Sequence, residues 1–81
     1  MVDVELLGRA GCHLCDRARD ELQALAPELG FTVRERSIED DDELLRRYLE
    51  RIPVVRVDGV DVCDHFVDRA ALEAALGSLA P

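Results

Sequence analysis

The hydrophobic period changes five times along this chain, switching between the alternation of a strand and the stripe of a helix. Val2–Leu7 alternates apolar and acidic residues and ends in two leucines, which predicts a strand. Gly8-Arg9-Ala10-Gly11 reads as a loop. From Cys12 the period turns helical. Leu14, Ala18, Leu22, Leu25 and Leu29 form an apolar stripe, and Pro27 is expected to stop or kink that helix before Gly30. Phe31–Arg36 alternates again. Asp40, with Glu43 three residues on, predicts the capped start of a short helix whose apolar face is Leu44, Leu45 and Tyr48. Val54–Val57 and Val60–Cys63 flank Asp58-Gly59, the signature of a two-residue type I′ hairpin. Asp68 can cap a last helix with Ala71, Leu72, Ala75, Leu76 and Leu79 on one face, and Gly77 marks its end.

The order is therefore β-α-β-α-β-β-α. A helix between the first two strands implies a parallel, right-handed crossover, and the hairpin adds antiparallel strands. The expectation is one α/β domain over residues 1–81, with three helices packed on a mixed four-stranded sheet. An apolar fraction of 48% supports a core, and with three aromatic residues Leu, Val and Ala must fill it. Acidic residues outnumber basic ones 18 to 10, for a net charge of −8. That field opposes phosphate backbones and anionic lipid, so neither nucleic acid nor membrane is expected as a partner. No apolar run reaches the length of a membrane span, and Met1-Val2-Asp3-Val4-Glu5 lacks the pattern of a secretory leader, so a cytoplasmic protein is expected. All ten basic residues are Arg, which fits a high-GC coding sequence.

Three cysteines do not make a secreted disulfide scaffold. Their spacing is the informative part. Cys12-His13-Leu14-Cys15 lies where the first loop becomes the first helix. Residues three apart on a helical turn share a face, so the two sulfurs can meet. The helix start supplies unpaired N–H groups and partial positive charge, both of which favour the nucleophilic thiolate. Cys12 gains most, with Arg9 and His13 as nearby positive groups, whereas Cys15 should be more buried. Two other readings stand beside redox chemistry. Cys12, Cys15, Cys63 and His65 offer a Cys₃His set for zinc, or the cysteines an iron–sulfur cluster between subunits. The chain can also be a redox-inactive interaction domain.

The element order, Gly11-Cys12-His13-Leu14-Cys15-Asp16, and Arg51-Ile52-Pro53-Val54-Val55 before an Asp-Gly hairpin together resemble a thioredoxin fold of the glutaredoxin type. The nearest likeness is to the small bacterial glutaredoxin-like proteins, over essentially the whole chain. The resemblance implies dithiol–disulfide exchange through Cys12 and Cys15 without metal or organic cofactor. It implies a cis proline at Pro53, facing the cysteines, and a backbone at Ile52 free to pair with an extended substrate. The partner implied is a disulfide-containing protein or a low-molecular-weight thiol, met by a monomer. Glutaredoxins hold the glutathione γ-glutamyl carboxylate on a Gly-Gly segment and paired acids. Here Cys63-Asp64 occupies that place, and the lysine before the first cysteine is missing, with Arg9 as its substitute. Glutathione is therefore not the expected thiol. Cys63 is expected as a core residue, and His65 and Phe66 as shapers of the substrate groove.

Overall fold

The computed structural model describes residues 2–78, so Leu79, expected on the last helical stripe, lies outside it. The chain forms β1 (Val2–Gly8), α1 (His13–Leu29), β2 (Phe31–Ser37), a 3-10 turn at Ile38–Asp40, α2 (Asp42–Tyr48), β3 (Val54–Val57), β4 (Val60–Asp64) and α3 (Arg69–Gly77). The predicted order of helices and strands holds throughout. The sheet runs β2-β1-β3-β4. β1 and β2 are parallel, with Val2 beside Phe31 and Gly8 beside Ser37. β3 is antiparallel to both β1 and β4.

The alternation in β1 sends Val4 and Leu6 to one face of the sheet. There they pack with Val55 and Val57 of β3, Phe31 of β2, Ala18 and Leu22 of α1 and Leu72 of α3. The second leucine of the Leu6-Leu7 pair faces the other way. Leu7 joins Val54, Ile38 and Tyr48 in a smaller cluster closed by Leu44, Leu45 and Ile52. Adjacent leucines thus mark the end of β1 where helices cover both faces. Farther back, Glu5 lies on the face that α2 leaves open and pairs with Arg34 and Arg56 at 3.4 and 3.2 Å.

Asp58 and Gly59 both have positive φ, 53° and 77°, as a type I′ turn demands. Between Val55 and Arg56 the β3–β4 register shifts, because Cys63 opposes Val55 while Asp61 opposes Arg56. Val62 is the extra residue of this bulge, and it and Cys63 both lean on the main core. Asp68 caps α3 by accepting from the Ala71 N–H at 3.1 Å.

Three local expectations change. Pro27 does not stop α1, which runs on to Leu29 and ends at Gly30, whose φ of 77° is the left-handed helix cap. The cap of α2 is Asp41, which accepts from the N–H groups of Glu43 and Leu44. Asp40 instead completes the 3-10 turn capped by Ser37. The buried stripe of α1 is Cys15, Ala18 and Leu22, while Leu14 is 53% exposed. Two successive steps of four advance a helix about 80° past two full turns, so Leu14 rotates off the face that Leu22 occupies. Leu22→Ala should therefore cost about 3 kcal/mol, and Leu14→Ala less than about 0.5 kcal/mol. Urea unfolding of both variants checks this, and equal losses would contradict the assigned face.

Candidate active site

The site is built at the end of the sheet where β1 delivers its chain to α1. Gly11 takes φ of 78° in the intervening loop, a backbone state open to glycine at little cost. Cys12 follows in extended conformation and caps α1. Its sulfur accepts the Cys15 N–H at 3.1 Å, and its carbonyl accepts the Asp16 N–H at 3.1 Å. The cap position usually belongs to Ser, Thr, Asp or Asn, whose oxygens satisfy the orphan donors of a helix start. Here a sulfur takes that role.

Cys12 and Cys15 are joined as a disulfide, with Cα atoms 5.2 Å apart. Cys12 is half-buried and Cys15 is 6% exposed. Cys15 is seated against the last residue of β1. A Cβ on Gly8 would stand 3.0 Å from the Cys15 sulfur and 3.1 Å from its Cβ. A side chain there requires Cys15 to give by a few tenths of an ångström. The sequence held one signal for this, a glycine directly after the two leucines that end the first strand's apolar pattern, but nothing in the pattern tied it to Cys15.

Leu7 pairs with Val54, so the same register carried one residue further sets Pro53 across from Gly8. Pro53 is fully buried, and the Ile52–Pro53 peptide is cis. Ile52 is half-buried. The sequence expectation left its backbone free, and the structure narrows this. The Tyr48 carbonyl, at the end of α2 where carbonyls lack helical donors, accepts from both Arg51 and Ile52 N–H, at 2.8 and 3.1 Å. The Ile52 carbonyl takes no hydrogen bond among the described residues.

A polar clamp that the sequence pattern did not reveal holds this segment to β4. Arg51 donates to Asp64 at 3.1 Å and Asp61 at 3.2 Å, and its guanidinium lies 5.1 Å from the Tyr48 ring centre. The Tyr48 hydroxyl donates to Asp61 at 3.1 Å. The bond to Asp64, then the field and bond of Asp61, raise the Arg51 pKa above its ordinary value despite the opposing cost of burial. The bulge brings these acids together, because Asp61 and Asp64 are three apart on a strand whose alternation it interrupts.

The remaining candidates scatter. Arg9 is exposed and pairs with Glu39 at 3.3 Å, toward the 3-10 turn. His13 opens α1 and is exposed. Cys63 is a free, half-buried thiol in β4. His65 turns its ring to the Glu50 carbonyl at 2.9 Å. Among the described residues no three His, Cys, Asp or Glu side chains are grouped to hold a metal, so the Cys12, Cys15, Cys63 and His65 set is not assembled. Phe66, 64% exposed, and Leu14 line a shallow groove with Ala18, His65 and Val67.

A mixed α/β sheet with a dithiol pair capping the first helix, and a proline across the sheet end from it, defines a thioredoxin-like domain suited to redox chemistry. The comparisons with known proteins make this more specific. The family described as Glutaredoxin-like domain (DUF836) matches residues 3–77, and the chain belongs to that family. An uncharacterized protein of Mycobacterium tuberculosis is 36% identical over 76 residues, which cover 88% of this chain and 78% of that protein. The solution structure of a Nitrosomonas europaea protein superposes with a TM-score of 0.82 at 28% identity, over 90% of this chain and 88% of the other. An X-ray structure of a protein from X. campestris gives 0.69 at 37% identity, over 96% and 99%.

Burial pushes the Cys63 thiol up, and the nearby Asp68 and Asp64 charges add to this, partly offset by a hydrogen bond from the Asp68 backbone. The folded chain thus holds a proton that the unfolded chain gives up at lower pH. The stability this contributes is complete below the unfolded thiol's pKa and is lost as pH climbs through the raised one. Between about pH 7 and about pH 10, the urea midpoint of Cys63→Ala should fall less steeply than that of the native protein, with the Cys12–Cys15 disulfide kept intact. Gly8→Ala should lose about 1–3 kcal/mol through overpacking against Cys15, read in the same assay.

Proposed function

We propose that the protein is a thiol–disulfide oxidoreductase in which Cys12 attacks and Cys15 resolves. The observation that carries this reading is the asymmetry of the pair. Cys12 is half-buried at a helix cap and its sulfur accepts the Cys15 N–H, whereas Cys15 is buried against Gly8. That donor remains in place to stabilise a Cys12 thiolate after reduction.

The reduced Cys12 thiolate attacks one sulfur of a substrate disulfide. A Cys12–substrate bond forms, the substrate S–S bond breaks, and the far substrate sulfur leaves as a thiolate. Cys15, having given up its proton, attacks the Cys12 sulfur. The Cys12–Cys15 bond forms and the second substrate thiolate departs. The substrate gains two electrons and the protein becomes the disulfide, which a host thiol or dithiol must reduce again. In this scheme His13 and Arg9 tune the Cys12 thiolate, and Ile52 and Pro53 receive the substrate, with Pro53 across the sheet end from Gly8. No metal or organic cofactor enters the scheme.

The surroundings favour a polypeptide disulfide over glutathione. The groove along the outer side of α1 presents Leu14 and Phe66 to apolar side chains, with Arg17 and Glu21 at its border. Where glutaredoxins offer open N–H groups to a carboxylate, this chain has the Asp64 side chain, held in place by Arg51. A reducing compartment, the cytoplasm, and a monomer suit this reading. No described helix is long and apolar enough to cross a membrane.

After reduction, Cys12 should react with iodoacetamide near neutral pH at least about tenfold faster than Cys15 or Cys63, as followed by peptide mass spectrometry. Equal, slow labelling of Cys12 and Cys15 would sink the proposal. Cys15→Ser should accumulate mixed disulfides on Cys12, and Cys12→Ser should abolish turnover of a protein disulfide.

A further inference from the structure

His65, like Asp58 in the hairpin turn, is a non-glycine residue held at a positive φ, here 70°. It is also tied three times to one short segment. Its N–H donates to the Pro53 carbonyl at 2.8 Å and is shared with the Arg51 carbonyl at 3.2 Å. Its ring Nε2 lies 2.9 Å from the Glu50 carbonyl. A carbonyl only accepts, so Nε2 carries the proton and donates. One residue from the end of β4 therefore grips residues 50 to 53 at both ends, through its backbone and its ring. Between those grips lies Ile52, whose N–H is committed to Tyr48 and whose carbonyl is open.

A left-handed backbone that merely turned the chain after β4 would be served by glycine without strain. A histidine there places a ring donor on Glu50, a contact glycine cannot make. Backbone strain of this kind persists where surrounding contacts over-determine it, and it collects at functional sites. We infer that His65 is a positioning residue: it sets the Ile52 carbonyl as a single acceptor for a backbone N–H of a polypeptide substrate while the substrate sulfur meets Cys12. The inference rests on the oxidoreductase reading and adds to it a means of telling a peptide disulfide from a small one.

The test compares two disulfides on the Cys15→Ser protein, where exchange stops at the first step. One is a short peptide whose cysteine carries a thiopyridyl group; the other is dithiodipyridine, which has no peptide backbone. In both, the Cys12 thiolate forms a mixed disulfide and thiopyridone leaves. The phase belonging to Cys12 is identified by its loss in Cys12→Ser. His65→Ala should slow the peptide reaction about fivefold, the worth of about one net hydrogen bond, and slow the dithiodipyridine reaction by a clearly smaller factor. His65→Gln, with an amide N–H at similar reach, should restore most of the peptide rate. His65→Gly, which relieves the backbone, should keep or raise the urea midpoint and still slow the peptide. An unchanged peptide rate in His65→Ala, or an equal fall for both reagents, overturns the inference. If Cys12 of the parent protein reacts with neither reagent, the oxidoreductase reading itself fails and the positioning role falls with it.

Discussion

The seating of α1 on the end of β1 governs the rest of the site. Cys15, Ala18 and Leu22 are one buried face, and its first member rests on Gly8 so closely that a Cβ there would meet the sulfur at 3.0 Å. This fixes the rotation of the helix about its axis. With Cys15 turned in, Cys12 must lie at the cap, and Leu14 must turn outward beside Phe66. The polarity of the pair, one sulfur accessible and one enclosed, is thus a packing result before it is a chemical one. The strand side is fixed as firmly, since Leu6 and Leu7 anchor β1 into two cores on opposite faces.

The parts of this fold legible in the sequence are those decided locally. Alternation in Val2–Leu7, two β-branched runs around Asp58-Gly59, and Asp68 before an apolar stripe each specify an element through a few neighbouring residues. The misreadings are places where two local signals competed. Asp40, Asp41 and Asp42 are equivalent as cap candidates, and Ser37 decided among them by starting a 3-10 turn first. Leu14 fits a spacing of four from Ala18, but the two steps of four from Leu14 to Leu22 turn the helix about 80° past two full turns, which leaves Leu14 off the buried face.

The candidate site divides in the same way. Cys12 and Cys15 lie three residues apart and were readable as a pair. The clamp of Tyr48, Arg51, Asp61 and Asp64 was not, because it joins the end of α2 to β4 across an intervening strand and depends on a bulge that places Asp61 and Asp64 within reach of one guanidinium. Such a network is polar and partly exposed, so each ion pair by itself stabilises little. Its effect is geometric, holding the turn before Pro53 to the last strand. In a marginal domain of this size, a few polar restraints of this kind decide where a loop sits more than how stably the chain folds.

The bulge at Val62 has a consequence for how the molecule meets others of its kind. Both outer strands of a four-stranded sheet expose unpaired backbone groups, which recruit further strands and lead to aggregation. On β4 the extra residue breaks the ladder, so a straight strand cannot lie along it in register. On β2, Arg34, Glu35 and Arg36 line the other border with charge, and Glu35 is already paired with Arg19. Both borders of the small sheet thus carry features that disfavour lateral growth.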